Sequence, residues 1–356
     1  MECEAWYLLG VATGVILVLV GKQVLANQLA SLYGEKSKKT LYALDHAKLN
    51  VCLPPPSLWM NMGYWKNTED FPTACEALLK EVLKAAKILQ ELKSKKDEPM
   101  NVTVSIIDLG FGCGDQCLYF KRVLESQTRN RIFGEWRARL EAYVGITLEQ
   151  TQFRVALDRL GHETHTQLRI HCADAGRPQS WDTELQNDVI KACQMSTEKD
   201  VGIKPLGGTQ SHQNWVLGLD TLYHFQPSRW GVIEYANRQL DASLMAYDLC
   251  IADDISVWMR VLLRLMSSLG QSPFANWSTV DDYRKKLVSV GYAEDKIEIH
   301  DISAHVFRPL ASFLKKREQH LEVYKVPLGR YRYVARMFDW WAQTGAVRGC
   351  IIVARK

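Results

Sequence analysis

At 356 residues, with 47% hydrophobic and 24% charged side chains, the chain has enough apolar material for one sizeable core and a smaller second unit, which excludes a disordered protein. The net charge of +4 is mild, and the lysines and arginines fall in short clusters with no long stripe to track a phosphate backbone, which argues against nucleic acid as a partner. None of the nine cysteines forms a CxxC pair, and Cys113 and Cys117 have no histidine nearby, so the thiols read as reduced and cytosolic and no metal site is expected.

Residues 5–20, AWYLLGVATGVILVLV, carry no charge, and the apolar character resumes beyond Lys22 and Gln23. A helix needs about 20 residues to cross the hydrocarbon core, a length that 5–25 supplies if Lys22 reaches the headgroups. A cleaved signal peptide or a buried core helix would also be apolar here. Glu2 and Glu4 precede the run, however, where a signal peptide carries basic residues. Lys22, Lys36, Lys38 and Lys39 follow it, so the positive-inside bias puts the N-terminus in the lumen and the remainder in the cytosol. The expectation is an uncleaved single-pass anchor over 5–25, with the endoplasmic reticulum as its membrane. Gly10 and Gly14 make a GxxxG through which two anchors could pair as a homodimer, or are two ordinary membrane glycines.

Residues 26–56, with basic GEKSKKT and stiff LPPPS, read as a linker. Helical spacing in TACEALLKEVLKAAKILQEL, opened by Pro72 and Thr73, predicts the first helix of the folded part. Strand and helix patterns then alternate: VTVSIIDLG, a helix from about Gln116, EAYVGIT, a helix over 148–160, TQLRIHCAD, NWVLGLDTLYHF, a helix through Arg238, and YDLCIADD. Continuous apolar strands separated by helices imply a Rossmann-like α/β fold, a parallel sheet covered on both faces. Residues 175–214 form a polar insertion longer than an ordinary connection. The core domain is expected over 57–253, a cap or substrate insertion over 254–326, and a return over 327–356 that ends in the strand RGCIIVARK.

VSIIDLGFGCGDQCLYF sets three glycines just past the end of a strand. In a parallel sheet, ligands sit beyond the carboxyl ends of the strands, and glycines there let backbone amides and a helix N-terminus approach an adenosine-bearing cofactor. The GxGxG spacing alone does not separate such cofactors. Positions 115 and 116 are Asp and Gln, which departs from the dinucleotide GxGxxG, and the missing GK[ST] excludes a Walker loop.

IIDLGFGCGDQ resembles the first motif of class I S-adenosylmethionine-dependent methyltransferases. YVGITLEQTQ, LRIHCADA, VLGLDTLYHF and WMNMGYW are similar, in order and spacing over roughly residues 57 to 260, to segments of the branch that contains sterol, tocopherol and sugar methyltransferases and cyclopropane-fatty-acid synthases. The resemblance implies a class I methyltransferase domain with S-adenosylmethionine as cofactor. It further implies that Asp108, Gly110, Gly112, Gly114 and Gln116 form the cofactor loop, that Thr147 and Gln150 lie toward the ribose, and that Asp174 and Ala175 read adenine. Asp220 joins the cofactor set, Tyr64 and Trp65 close over the methionine end, and Tyr223 and His224 line the active site with His224 as general base. Two departures matter. Met62 stands where cyclopropane synthases carry a cysteine, so cyclopropanation is not expected, and Asn61 replaces the histidine of xHxGYW.

The acceptor is expected to be a lipophilic small molecule, sterol-, prenyl- or lipid-like. The anchor points that way, as does ISVWMRVLLRLMSSLG, which is apolar almost all round and reads as a core helix of the cap or a helix lying on a bilayer. FDWWAQ could sit at that interface or pack the last helix. The sequence is also compatible with oxygen or nitrogen methylation of an apolar secondary metabolite, a non-catalytic scaffold of the same fold at the membrane, and an NAD oxidoreductase. His224 itself could be a structural histidine beside Tyr223.

Overall fold

The apolar run after residue 101 becomes strand β1 (Val102–Leu109), buried along its whole length. The computed structural model describes residues 52, 54–89, 102–129, 136–161, 166–194, 211–269 and 272–356. The expected anchor, its GxxxG and most of the linker lie outside these. Among the described residues no helix is long and apolar enough to cross a membrane. Residues 52–356 form a compact unit, and both of its apolar layers draw on residues from Met62 onward, so this part carries its own core.

Helix α1 (Phe71–Ala85) starts where Asp70 accepts a hydrogen bond from the Thr73 amide at 3.0 Å and Pro72 occupies the first turn. It buries Ala74, Cys75, Leu78, Leu79, Val82 and Leu83, one stripe at helical spacing. After β1 come α2 (Asp115–Thr128), β2 (Arg139–Thr147), α3 (Gln150–Leu160), β3 (Leu168–Cys172), α4 (Thr183–Gln194), β4 (Ser211–Leu219), α5 (Trp230–Arg238) and β5 (Ala242–Ile251). The chain ends with α6 (Val257–Leu269), α7 (Val280–Val290), β6 (Ile297–Asp301), α8 (Phe307–Val323), α9 (Tyr331–Thr344) and β7 (Val347–Ala354).

The seven strands lie in the order β3-β2-β1-β4-β5-β7-β6. The first five pair in parallel, as the continuous apolar runs imply, while β7 enters between β5 and β6 antiparallel to both. One face is covered by α1, α2, α3, α8 and α9, and the other by α4, α5 and α7, whose side chains build two separate apolar layers.

Two stretches differ from the pattern-based expectation. The polar insertion over 175–214 contains the crossover helix α4, which packs on β1 and β2 through Leu185, Val189 and Ala192. Those three residues follow helical spacing, but the polar side chains between them mask it. Residues 254–326, expected as a cap, supply α7 to one face of the sheet and β6 to its edge. In α9, Trp341 packs against Phe307 and Phe338, with ring centroids at 5.3 Å from each, and against Trp277.

Candidate active site

Strand order reverses between β1 and β4, the point beyond whose carboxyl ends a sheet of this kind opens a crevice. Gly110, Gly112 and Gly114 all have left-handed backbone, at φ of 111°, 62° and 92°. Each serves a different purpose. A Cβ on Gly110 would stand 2.7 Å from Thr221 Oγ1, so this glycine lets the loops after β1 and β4 touch. A Cβ on Gly114 would stand 2.8 Å from the Ala156 Cβ, so that glycine seats α3 against the start of α2. At Gly112 the nearest atom is the Met60 sulfur at 3.4 Å, and bare backbone faces the cleft.

The cleft has a volume of about 600 Å³, the range of small-ligand sites. Gly110, Gly112, Gln116, Thr147, Asp174, Ala175, Asp220, Tyr223 and His224 all line it. They come from the carboxyl ends of β1 to β4 and from the first turn of α2, which directs its unpaired amides there.

Asp108 and Gly114 lie outside the lining. The Asp108 carboxyl is fully buried, accepting from Tyr143 Oη at 2.6 Å and Gln116 Nε2 at 2.7 Å, and its Oδ1 has no hydrogen-bond partner. Asp220 sits at φ 61°, a conformation uncommon outside glycine. It accepts from the Met62 amide at 2.7 Å and from Tyr223 Oη at 2.9 Å. Burial pushes both carboxyls up to about 7, against the pull of their hydrogen bonds.

Such a carboxyl stays protonated in the fold where an unfolded aspartate, near pH 3.9, is already ionised. Its stabilising contribution is therefore complete below about pH 4, falls as pH rises, and levels off above about pH 7. Asp220 keeps part of its surface open to the cleft, so Asp108 is the cleaner test. Asp108→Asn keeps an oxygen for Tyr143 and Gln116 and removes the titration. The urea midpoint of the variant is expected to gain on the parent's between about pH 5 and pH 8. A difference that stays constant over that interval would mean Asp108 ionises like a surface carboxylate.

Gln150, Tyr64 and Trp65 stand elsewhere. Gln150 is exposed on the first turn of α3, and the glutamine of this helix that lines the cleft is Gln152, whose Oε1 accepts from Thr147 Oγ1 at 3.1 Å. The distinction needs the helix start, which lies at Gln150, two residues later than the pattern places it. Trp65 is buried against Phe313 and Phe71, and Tyr64 meets His305 edge-on at 5.2 Å. The part of this segment that forms cleft wall is Leu58, Trp59, Met60 and Asn61.

That wall is tied at both ends. Asp115 accepts two bonds from Arg159, at 2.7 and 2.9 Å, and a third from the Leu58 amide at 3.1 Å, while Arg159 also donates to the carbonyls of Cys113 and Pro56. Met62 is held by Asp220. Asn61 bridges the Cys75 carbonyl and the Gly63 amide, a structural tie with no proton to give at neutral pH.

His224 ends a short 3-10 turn, Leu222–His224, with its ring 4.3 Å from that of Tyr223. The turn is braced from the stretch after α6. Ser272 Oγ donates to the Tyr223 carbonyl at 2.6 Å, and Asn276 Nδ2 donates to the carbonyls of Tyr223 and Phe225 at 3.2 and 2.8 Å. Asn276 Oδ1 in turn accepts from the Arg229 amide. The Arg229 guanidinium is fully buried, paired with Asp248 of β5 and stacked over the Tyr283 ring at 4.8 Å. None of these residues carries a short-range sequence signal, because their partners are 19 to 54 residues away.

No protein-family model and no curated protein matches the chain. Solved structures share its fold. A mycolic acid cyclopropane synthase in its apo form gives a TM-score of 0.51 at 13% identity, over 84% of this chain and 95% of that one. A cyclopropane synthase from Mycobacterium tuberculosis gives 0.49 at 12% identity, over 83% and 90%. Geranyl diphosphate C-methyltransferase from Streptomyces coelicolor A3(2) gives 0.43 at 12% identity, over 80% and 79%. The likeness is one of fold: the chain has the Rossmann-like architecture of class I methyltransferases.

Proposed function

We propose that the chain is a membrane-anchored, S-adenosylmethionine-dependent methyltransferase acting on a lipophilic small molecule, sterol-, prenyl- or lipid-like. The observation that carries the reading is the glycine floor. Gly112 leaves bare backbone in front of about 600 Å³ of open cleft, beside the first turn of α2, at the crevice where this sheet type takes its ligands. The donor set fits the cofactor: carboxylates at Asp174 and Asp220, the buried side chain of Thr147 with Gln152, and the apolar Phe111 and Ile146.

In this reading Gly110, Gly112 and Gln116 hold the amino-acid end, Thr147 and Gln152 the ribose, and Asp174 with the Ala175 amide the adenine. When bound, the cofactor's sulfonium supplies an electrophilic methyl group. The chain's own work is positioning, since an in-line displacement needs little covalent help. Asp220 sets a carboxyl where a neighbouring cation favours its ionised form. His224 takes the proton that the acceptor loses, from a hydroxyl, an amine or a methylated carbocation.

The cleft also argues about the acceptor. Among the described residues that line it, Arg177 is the single permanent cation, and it pairs with Asp174 at 3.4 Å. A phosphorylated acceptor would find no cluster of charge to meet it, whereas Leu58, Trp59, Met60 and Phe225 suit an apolar one. The charge pattern around residues 5–25 supports a single-pass anchor with the catalytic domain in the cytosol, and the endoplasmic reticulum is the membrane proposed for it.

The test is the full chain with methyl-labelled S-adenosylmethionine and a lipid extract. Label is expected in the organic phase, and His224→Ala is expected to reduce it on the order of 10² to 10⁴-fold with S-adenosylhomocysteine affinity unchanged. Equal transfer by the variant would remove His224 from the chemistry. A parent that binds no S-adenosylhomocysteine would remove the cofactor.

A further inference from the structure

Helix α6 exposes apolar side chains that a soluble helix would bury. Trp258 is 83% exposed and Val257 78%, and on the next turn Val261 is 46% and Leu262 44% exposed. At 3.6 residues per turn these four fall within an arc of about 140°. Met259 and Leu263 point away from that arc into the main apolar layer, and Leu263 is fully buried. The helix is therefore apolar on two sides, one of which is already used by the fold. Arg260 and Arg264, both exposed, run along the border between them, and Arg264 lies over the Phe274 ring.

We infer that this outer face of α6 docks on an anionic lipid surface. The arginine border is the argument for that occupant over another protein face: an apolar stripe with tryptophan, flanked by cations, matches the acyl boundary and the phosphates above it. Position in the fold adds a consequence. Helix α6 follows the carboxyl end of β5, at the end of the sheet where the cleft opens, and the residues just past it, Ser272 and Asn276, hold the turn that carries His224. Docking through α6 would set the cleft at the surface from which an apolar acceptor comes, and in that respect alone the inference rests on the proposed function. The docking itself does not need the anchor or any turnover.

The experiment uses residues 52–356, the unit with its own core, sedimented with vesicles of phosphatidylcholine containing about 30% phosphatidylserine and with phosphatidylcholine alone. Binding to the anionic vesicles is expected, weaker at high salt, and at least tenfold weaker for the double variant Trp258→Glu, Leu262→Glu at an unchanged melting temperature. No binding, or binding that the double variant leaves intact, overturns the inference. So does a dimer in light scattering that the variant dissolves, which would make a second copy the occupant. Protection of 257–262 from hydrogen exchange in the full chain without vesicles, lost in 52–356, would assign the face to the chain's own N-terminal residues instead. Methyl transfer is not read in any arm, so a failed acceptor search leaves this result standing.

Discussion

Gly114→Ala is expected to weaken S-adenosylhomocysteine binding by about thirtyfold to several thousandfold, while Gly112→Ala costs about fivefold to thirtyfold. Both positions are left-handed, a conformation that costs roughly 1–2 kcal/mol for a residue with a Cβ. The difference lies in what the added methyl meets. At Gly114 it would stand 2.8 Å from the Ala156 Cβ and 3.0 Å from the Ala156 Cα, and a helix backbone cannot step aside as a side-chain tip can. Overpacking of that kind adds about 1–3 kcal/mol. The relief available is to push α3 away from the start of α2, and that movement carries Gln152 away from Thr147 and from the glycine loop. At about 1.4 kcal/mol per tenfold, the two costs together, roughly 2–5 kcal/mol, span about thirtyfold to four thousandfold. At Gly112 only Met60 is near, so strain alone remains. Calorimetric titration of both variants with S-adenosylhomocysteine decides it, and a Gly114 variant that binds within threefold of the parent would mean the loop is not the cradle.

Arg229→Met is the second large effect, and it falls on stability. The guanidinium and the Asp248 carboxylate are both fully removed from solvent, and Tyr283 Oη also donates to Asp248 at 3.0 Å. Methionine fills much of the volume but leaves a carboxylate buried without its cation, a loss of about 3–5 kcal/mol. A fall in melting temperature on the order of 10 °C is expected. The double variant Arg229→Met, Asp248→Asn removes the charge and keeps an acceptor for Tyr283, and should recover most of the loss. If the double variant is no more stable than the single, the cost comes from lost packing over the Tyr283 ring and not from the stranded charge. The bond from Arg229 to Asn276 comes from the backbone amide, which methionine keeps, so the His224 turn should hold in the single variant until the fold itself melts.

Much of the site could be read directly from the chain. A buried strand followed by glycines is a local arrangement, and Gly110, Gly112 and Gln116 are fixed at the cleft by residues within ten positions of one another. The same holds for Asp174 and Ala175 after β3, and for Asp220, Tyr223 and His224 after β4, since each follows its strand directly. Tyr64 and Trp65 depend on distant partners instead. Whether an aromatic pair faces a ligand or a core depends on which partner arrives from elsewhere, and here Phe313 and His305 arrive from α8 and the turn before it.

The sequence by itself determined the parallel β-α alternation, the glycine loop and the strand ends that carry the candidate chemistry, because periodicity, glycine backbone freedom and strand termini are short-range properties. Tertiary structure alone decided that α4 lies within a polar insertion and that β7 runs antiparallel between β5 and β6. It also decided that Gln152 and not Gln150 meets Thr147, that Asp115 and Arg159 fasten the cleft wall, and that one face of α6 is left uncovered among the described residues. Each of these depends on pairing between residues far apart in the chain. An apolar or charged side chain carries no mark of which distant surface will come to meet it.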